Sequence, residues 1–458
     1  MPEPTIPIAR LRSAALVSAL VLVYSVLLIV IYEAQIVPSY EEVGFTLHVP
    51  SVAEWAAMFV LALMPGLMLR PECERPSDAL TWALYVLGYV PLCFVPMLAS
   101  DGYGIDRQRV LGLLAMCGLA MTLIIAGRAE LRRLPSVRLR RFDRSASIAA
   151  LVIVGGLTYG LSLLYVRGFA IVGFDEVMDI RDQLTEGARA GGPLLSYLVL
   201  TQSHAINPMI MALGVERSRW QLVLLGALGQ LFFYAAGGLR AVMMSPFLLG
   251  GAWFAMRHEG RRLGYYMLGG VILVLGLFLL LAPPSTDGGR AWIIIRAMVW
   301  RTLIIPPHTV GIYFDVFSHL PVTHFGHVKG FSLFFQNPYD EPIPFIVARW
   351  FYGKPFSMNG GLFAEGFAGW GPTGILFSAT VATVAFAVLD AVTRELPRRF
   401  VVMAISFHAI NLTNLSIFTL LLGSGLGASL LLLGLSSRRL TVSPARVPGL
   451  RIAEPASA

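Results

Sequence analysis

Between residues 283 and 370 an apolar, aromatic stretch carries most of the chain's candidate chemistry. Asp315 and His319 stand four residues apart, and Glu365 stands alone among glycines in "NGGLFAEGFAGWGPTG", residues 359–374. A carboxylate or an imidazole takes the proton of a hydroxyl nucleophile. The cations Arg290, Arg296, Arg301, Lys329, Arg349 and Lys354 share this stretch, and His308, His319, His324 and His327 can join them. Only Asp287, Asp315, Asp340 and Glu341 oppose them up to residue 354. Such an excess suits a phosphorylated ligand, which arginine grips bidentately with its planar fork. Ion pairing and interfacial snorkelling are the plainer alternative.

Arg290 and Arg301 fall about 20° apart on an ideal helix and Arg296 points elsewhere, so the three form no single stripe. His324 and His327 share a face if their segment is helical. The histidine spacing matches no zinc site, and the carboxylates are too sparse for magnesium. No metal and no cofactor is expected. Glu365 has two readings: the base of a reaction, or the neutralising partner of an arginine such as Arg301. Asp315 and His319 are the other candidate bases.

The elements that position these residues are apolar helices. Of 458 residues 56% are hydrophobic and 14% charged, too apolar for a soluble domain. Runs long enough to cross a bilayer as helices lie near 14–32, 52–69, 79–98, 109–127, 147–166, 193–213, 220–237, 241–256, 264–282, 372–393, 400–415 and 417–435. The chain reads as all-α, a single integral membrane domain over 1–458 with about twelve transmembrane helices. The sixth run is expected to break near Ser203, His204, Asn207 and Pro208, and the last two to form a tight hairpin. Three scattered cysteines, Cys73, Cys93 and Cys117, make no disulfide framework.

Arginines orient the spans. The segment 128–144 holds seven of them and is placed on the cytoplasmic side. Alternation then puts 283–365 outside, as a folded external loop, together with 167–192 and the turn bearing Arg240. The 167–192 stretch has amphipathic spacing and reads as an interfacial helix. Within the loop, helices are expected near 289–304 and 308–318, separated at Pro306–Pro307.

Three motifs together resemble the Wzy-type O-antigen and exopolysaccharide polymerases, the oligosaccharide repeat unit polymerases. They are "GGLRAVMMSPFLL" around Arg240, "RTLIIPPHTVGIYFDVFSHLPVTHFGH" from Arg301, and "NGGLFAEGFAGWGPTGI" from Asn359. The resemblance covers roughly 230–380 and departs at Gly369, where many members carry Asn. It implies a GT-C-like glycosyltransferase fold and undecaprenyl-pyrophosphate-linked glycan as donor and acceptor. It places the site on the outer face of a bacterial cytoplasmic membrane. Catalysis is then expected from Glu365, Asp315 or His319, and substrate binding from Arg240, Arg296, Arg301, His324, His327 and Asn359. Membrane lipid, a flippase and a chain-length regulator are candidate partners; no nucleic acid is expected. An O-antigen ligase is the same chemistry with another acceptor. A lipid-linked glycan transporter is the rival of another class, and would place ionisable residues at mid-membrane.

Overall fold

A computed structural model describes residues 8–41, 44–131, 144–165, 191–237, 240–281 and 290–436. The segment 166–190, the whole of the arginine-rich 132–143 and the side chains of Arg240 and Arg290 fall outside the described residues. Every described element is helical, without strands. Seven helices are long and apolar enough to cross a membrane: Arg10–Tyr40, Pro76–Leu98, Arg107–Glu130, Gly192–Glu216, Trp220–Gly237, Leu263–Leu281 and Gly361–Thr393. This is a membrane-embedded, polytopic helical protein. The remaining apolar runs are also helical but shorter, among them Val52–Met68, Ala241–Ala255 and Leu426–Leu435.

Two of the expected interruptions are absorbed without a break. The Gly192–Glu216 helix passes Ser203 and His204 through one wide π turn at Gln202–Ile206, and Pro208 follows at the second position of the next α segment. Likewise Pro306 and Pro307 do not separate two helices. The helix from Arg290 widens into a π turn at Trp300–Ile304, then continues as Ile305–His319. A π turn shifts the hydrogen-bond register, so the missing proline N–H groups fall where no partner is needed. The last apolar run divides instead: Ile417–Leu422 ends before Gly425, whose φ of 87° caps Leu426–Leu435.

The chain forms two compact units. One comprises residues 135–254, 390–407 and 423–458. Its interior holds an uncharged polar network. Gln202 Nε2 donates to Asn207 Oδ1 (2.8 Å), and Gln230 Nε2 to the Ser203 carbonyl (2.7 Å) and the Ser245 hydroxyl (2.5 Å). Phe233, Val242 and Phe407 pack beside it.

The other unit comprises 1–134, 255–389 and 408–422 and contains the whole 290–370 stretch. Its helix ends sort into two groups. Residues 40–48 and 99–108 share one end with the 300–327 segment. There Tyr40 stacks on Trp300 (3.8 Å), Phe45 lies on His308 (4.0 Å), and His48 N–H donates to the Leu98 carbonyl (2.7 Å). Arg10, the 67–78 turn and the end of the Arg107–Glu130 helix meet at the opposite end. The loop with the chemistry therefore lies at the end of this unit opposite Arg128.

The collar at 359–374 is a helical hairpin without a loop. The helix from Gly361 breaks at Trp370 (φ −138°, ψ 32°) and Gly371 (φ 62°, ψ −144°), and Pro372 starts the span that follows. The Gly371 conformation is open essentially only to glycine. The chain folds back so tightly that a Cβ on Gly366 would sit 2.8 Å from the Gly374 carbonyl oxygen, and one on Gly374 would overlap the Gly366 carbonyl. These glycines bring two helical backbones into direct contact.

Candidate active site

The helix Ile305–His319 is buried along nearly its whole length and presents different chemistry on opposite faces. His308, Gly311, Asp315 and His319 recur at helical spacing and face the 99–105 segment. The Tyr103 hydroxyl lies 3.0 Å from His308 Nδ1, and its ring covers Gly311. The Gly104 N–H donates to Asp315 Oδ1 (3.0 Å). Tyr313 and Phe314 face the other way. Tyr313 donates to the Met358 carbonyl (2.9 Å), and Phe314 meets Phe367 edge-on (5.0 Å).

On the first face His319 and Asp315 form an open pair. His319 Nδ1 lies 2.9 Å from the Asp315 backbone carbonyl and 3.4 Å from its Oδ1. Both neighbours only accept hydrogen bonds, which assigns the proton of a neutral ring to Nδ1. Nε2 then carries the free lone pair. The His319 side chain is 43% exposed, against 8% for that of Asp315. Trp350 stacks against the ring at 6.2 Å and 23°. Burial raises the Asp315 carboxyl above its ordinary range, opposed by the His319 ring and the Gly104 N–H.

On the second face His327 and Glu365 form a closed pair. The Thr323 hydroxyl donates to the Ala368 carbonyl (3.1 Å), which spends its only proton. His327 Nδ1, 2.8 Å from that hydroxyl oxygen, must therefore be the donor. Nε2 lies 3.3 Å from Glu365 Oε2, and the two side chains are 14% and 10% exposed. Both ring nitrogens are engaged. Glu365 is thus held by a histidine. The alternative of pairing with an arginine such as Arg301 does not describe this carboxylate.

His324 and His327 do not share a helical face. Residues 324–327 form a turn, with His324 (φ 49°) and Phe325 (φ 58°) both left-handed. His324 is exposed, while Phe325 is fully buried between Phe331, Trp370, Phe377 and Phe418. That burial holds an unfavourable backbone in place. It also explains Gly369: any side chain there would overlap the Phe325 ring.

The remaining candidates separate. Arg296 lies over the Tyr40 ring at 5.4 Å, an interfacial stacking role. Arg301 is exposed on the π turn. Asn359 is exposed in the strand-like lead to the collar. His308 is buried and driven down to about 3 by desolvation, so it is neutral rather than one of the cations. Asp315 and His319 follow Arg301 by 14 and 18 residues along the same helical trace, roughly 21–27 Å at 1.5 Å per residue. Arg301 and His319 therefore cannot act on the same reacting bond. Cations nearer the open pair are Arg107, three residues beyond Gly104, and Arg349, next to Trp350. Each holds an exposed ion pair, with Asp101 (2.6 Å) and Glu341 (2.7 Å) respectively.

Sequence pattern gives the Asp315–His319 spacing but not the Gly104 N–H, the Trp350 wall or Thr323. The first two come from distant segments with no signature beyond an Asp/Gly-rich turn at 100–106, and Thr323, only four residues before His327, carries no signature of its own. Among the described residues no three His, Cys, Asp or Glu side chains group as a metal site. No family model matches this chain, and no curated protein or solved structure is found to be similar to it.

Proposed function

We propose that this protein is a membrane glycosyltransferase that polymerises undecaprenyl-pyrophosphate-linked oligosaccharide repeat units on the outer face of the bacterial cytoplasmic membrane. The observation that carries the reading is the open Asp315–His319 pair. It offers a correctly held, solvent-accessible base in a folded layer at one end of a bundle of apolar helices. The motif resemblance supplies the substrate class.

In this reaction His319 Nε2 accepts the proton of an acceptor sugar hydroxyl, and Asp315 stabilises the imidazolium that forms. The freed oxygen attacks the anomeric carbon of the donor. The bond from that carbon to the pyrophosphate breaks, and its electron pair leaves with undecaprenyl pyrophosphate. Arg107 and Arg349 are placed to stabilise that charge. Exchanging an exposed ion pair for a phosphate contact costs little, since such pairs contribute about 0–1 kcal/mol. Arg301, distant along the helix, is assigned to holding the lipid-linked substrate rather than to the bond that breaks. Glu365 is assigned to the fold.

The deciding experiment incubates purified protein with lipid-linked repeat units and separates the products. A ladder of multiples supports the polymerase. Transfer of a single finished glycan to a lipid A core acceptor identifies a ligase. Movement of intact substrate across vesicles without new glycosidic bonds sinks the enzymatic reading.

A further inference from the structure

Away from the acid–base pairs, the opposite end of the same unit contains a cavity of about 300 Å³, between the start of the first helix, the 67–78 turn and the end of Arg107–Glu130. Its floor is a buried ion pair. Arg128 is bound to Asp78, and its guanidinium donates to the Ser77 hydroxyl (3.0 Å). Asp78 also accepts the Arg75 N–H (2.6 Å), so this pair is engaged within the floor of the cavity. At the rim Arg70 pairs with Glu74 (2.9 Å). Two lining charges remain. Among the described residues Arg10 and Glu72 have neither an ion pair nor a hydrogen bond, and both are exposed. Leu67 and Met68, 53% and 39% exposed, form its apolar side.

The geometry points to a binding site for a phospholipid headgroup that bears both a phosphate and a primary amine. One free cation and one free carboxylate match one phosphate and one ammonium. A primary ammonium donates up to three hydrogen bonds to carboxylate oxygens, which a quaternary ammonium cannot do. A purely anionic headgroup would leave Glu72 facing a phosphate. The volume lies at the lower limit of ligand pockets and suits a headgroup rather than a whole glycan. The exposed Leu67 and Met68 lie where acyl chains would begin, at the polar–apolar boundary of the helix ends. The site is separate from the proposed catalysis and does not depend on it.

The test is native mass spectrometry of the full chain released from nanodiscs of phosphatidylethanolamine, phosphatidylcholine and phosphatidylglycerol in equal parts. Retention of phosphatidylethanolamine is expected at about threefold to fivefold over each of the others, as contacts with exposed charges typically provide. Glu72→Gln should erase the preference over phosphatidylcholine, and Arg10→Gln should lower retention of all three. Neither residue has a partner to lose, so both variants should melt as the parent does. Equal retention of the three lipids by the parent protein overturns the proposal whatever the variants do. So does unchanged selectivity in Glu72→Gln. Displacement of the lipid by soluble phosphoethanolamine at matched concentration would overturn the lipid as the source of the headgroup.

Discussion

Two imidazole–carboxylate pairs back onto opposite faces of one helix, and they differ in what surrounds the second ring nitrogen. In Asp315–His319 the Asp315 backbone carbonyl takes Nδ1, with the carboxylate 3.4 Å away, and Nε2 is left without a hydrogen bond on a ring that is 43% exposed. In His327–Glu365 a threonine takes Nδ1 and the carboxylate takes Nε2. The same two residue types therefore leave a ring nitrogen open in one place and close both in the other. The proposed assignment of roles rests on that unoccupied nitrogen, not on residue identity.

The largest effect should come from the open pair. His319→Gln is expected to lower polymer formation by about 10²–10⁴, the usual contribution of a positioned general base. Melting should be unchanged, because the ring is partly exposed. Normal ladders from this variant would remove the distinction between the two pairs.

Asp315→Asn should cost less turnover than loss of the ring: the Asp315 backbone carbonyl still holds Nδ1–H and leaves Nε2 free, and only the carboxylate charge that stabilises the imidazolium is lost. Its stability should move the other way. A raised carboxyl pKa means that the folded state binds the proton more tightly than the unfolded chain does. Asp315 therefore favours folding at acid pH and loses that contribution as pH rises through its folded pKa. Melting curves of parent and Asp315→Asn across that range should show the parent's relative stability falling with pH. A rising difference would reverse the assignment of burial as the dominant cause.

For the closed pair the expectation inverts. Glu365→Gln should retain turnover while losing about 1–3 kcal/mol of stability, the cost of leaving a buried polar partner unsatisfied. Activity and melting must be read from the same preparation; lost turnover at unchanged melting temperature would make Glu365 the base. Gly369→Asn drives a side chain into Phe325 and so disturbs the turn that carries His327. Overpacking of this kind costs about 1–3 kcal/mol, and chemical denaturation would measure it. The smallest effect is expected from chelation: ladder formation should persist in EDTA, because Arg and Lys outnumber Asp and Glu over residues 283–354 and no three His, Cys, Asp or Glu side chains group together among the described residues. Loss of activity in EDTA with recovery on added magnesium would rule this out.

The hydrophobic runs marked where the seven longest apolar helices lie, because burial in a bilayer demands long apolar segments whatever they pack against, but no run marked the helix Ile343–Tyr352 or the helical arm from Gly361 to Trp370. Their lengths were less legible. Val52–Met68 and Leu426–Leu435 are shorter than their runs suggested, ended by Leu69 in extended backbone and by Gly425. Asp315 and His319 could be paired from spacing alone, since four residues is one helical turn. His327 and Glu365 could not: 38 residues and a left-handed turn at His324–Phe325 lie between them. Pro306–Pro307 misled because a π turn, not a break, accommodates them. The sequence shows the collar's glycines but not what fills the space beside them: Gly366 and Gly374 meet each other's backbone and Gly369 meets Phe325.

That last contact also fixes an order of events during synthesis. Phe325 is seated by Trp370, Phe377 and Phe418, and its ring lies over Gly369. The first of these partners is made about 44 residues later. At ~5–20 residues per second the ribosome delivers it roughly 2–9 s after the phenylalanine. For that interval an aromatic segment waits without its seat. A nascent chain ending at residue 360 should leave the 320–335 region open to added protease, and one ending at 430 should close it.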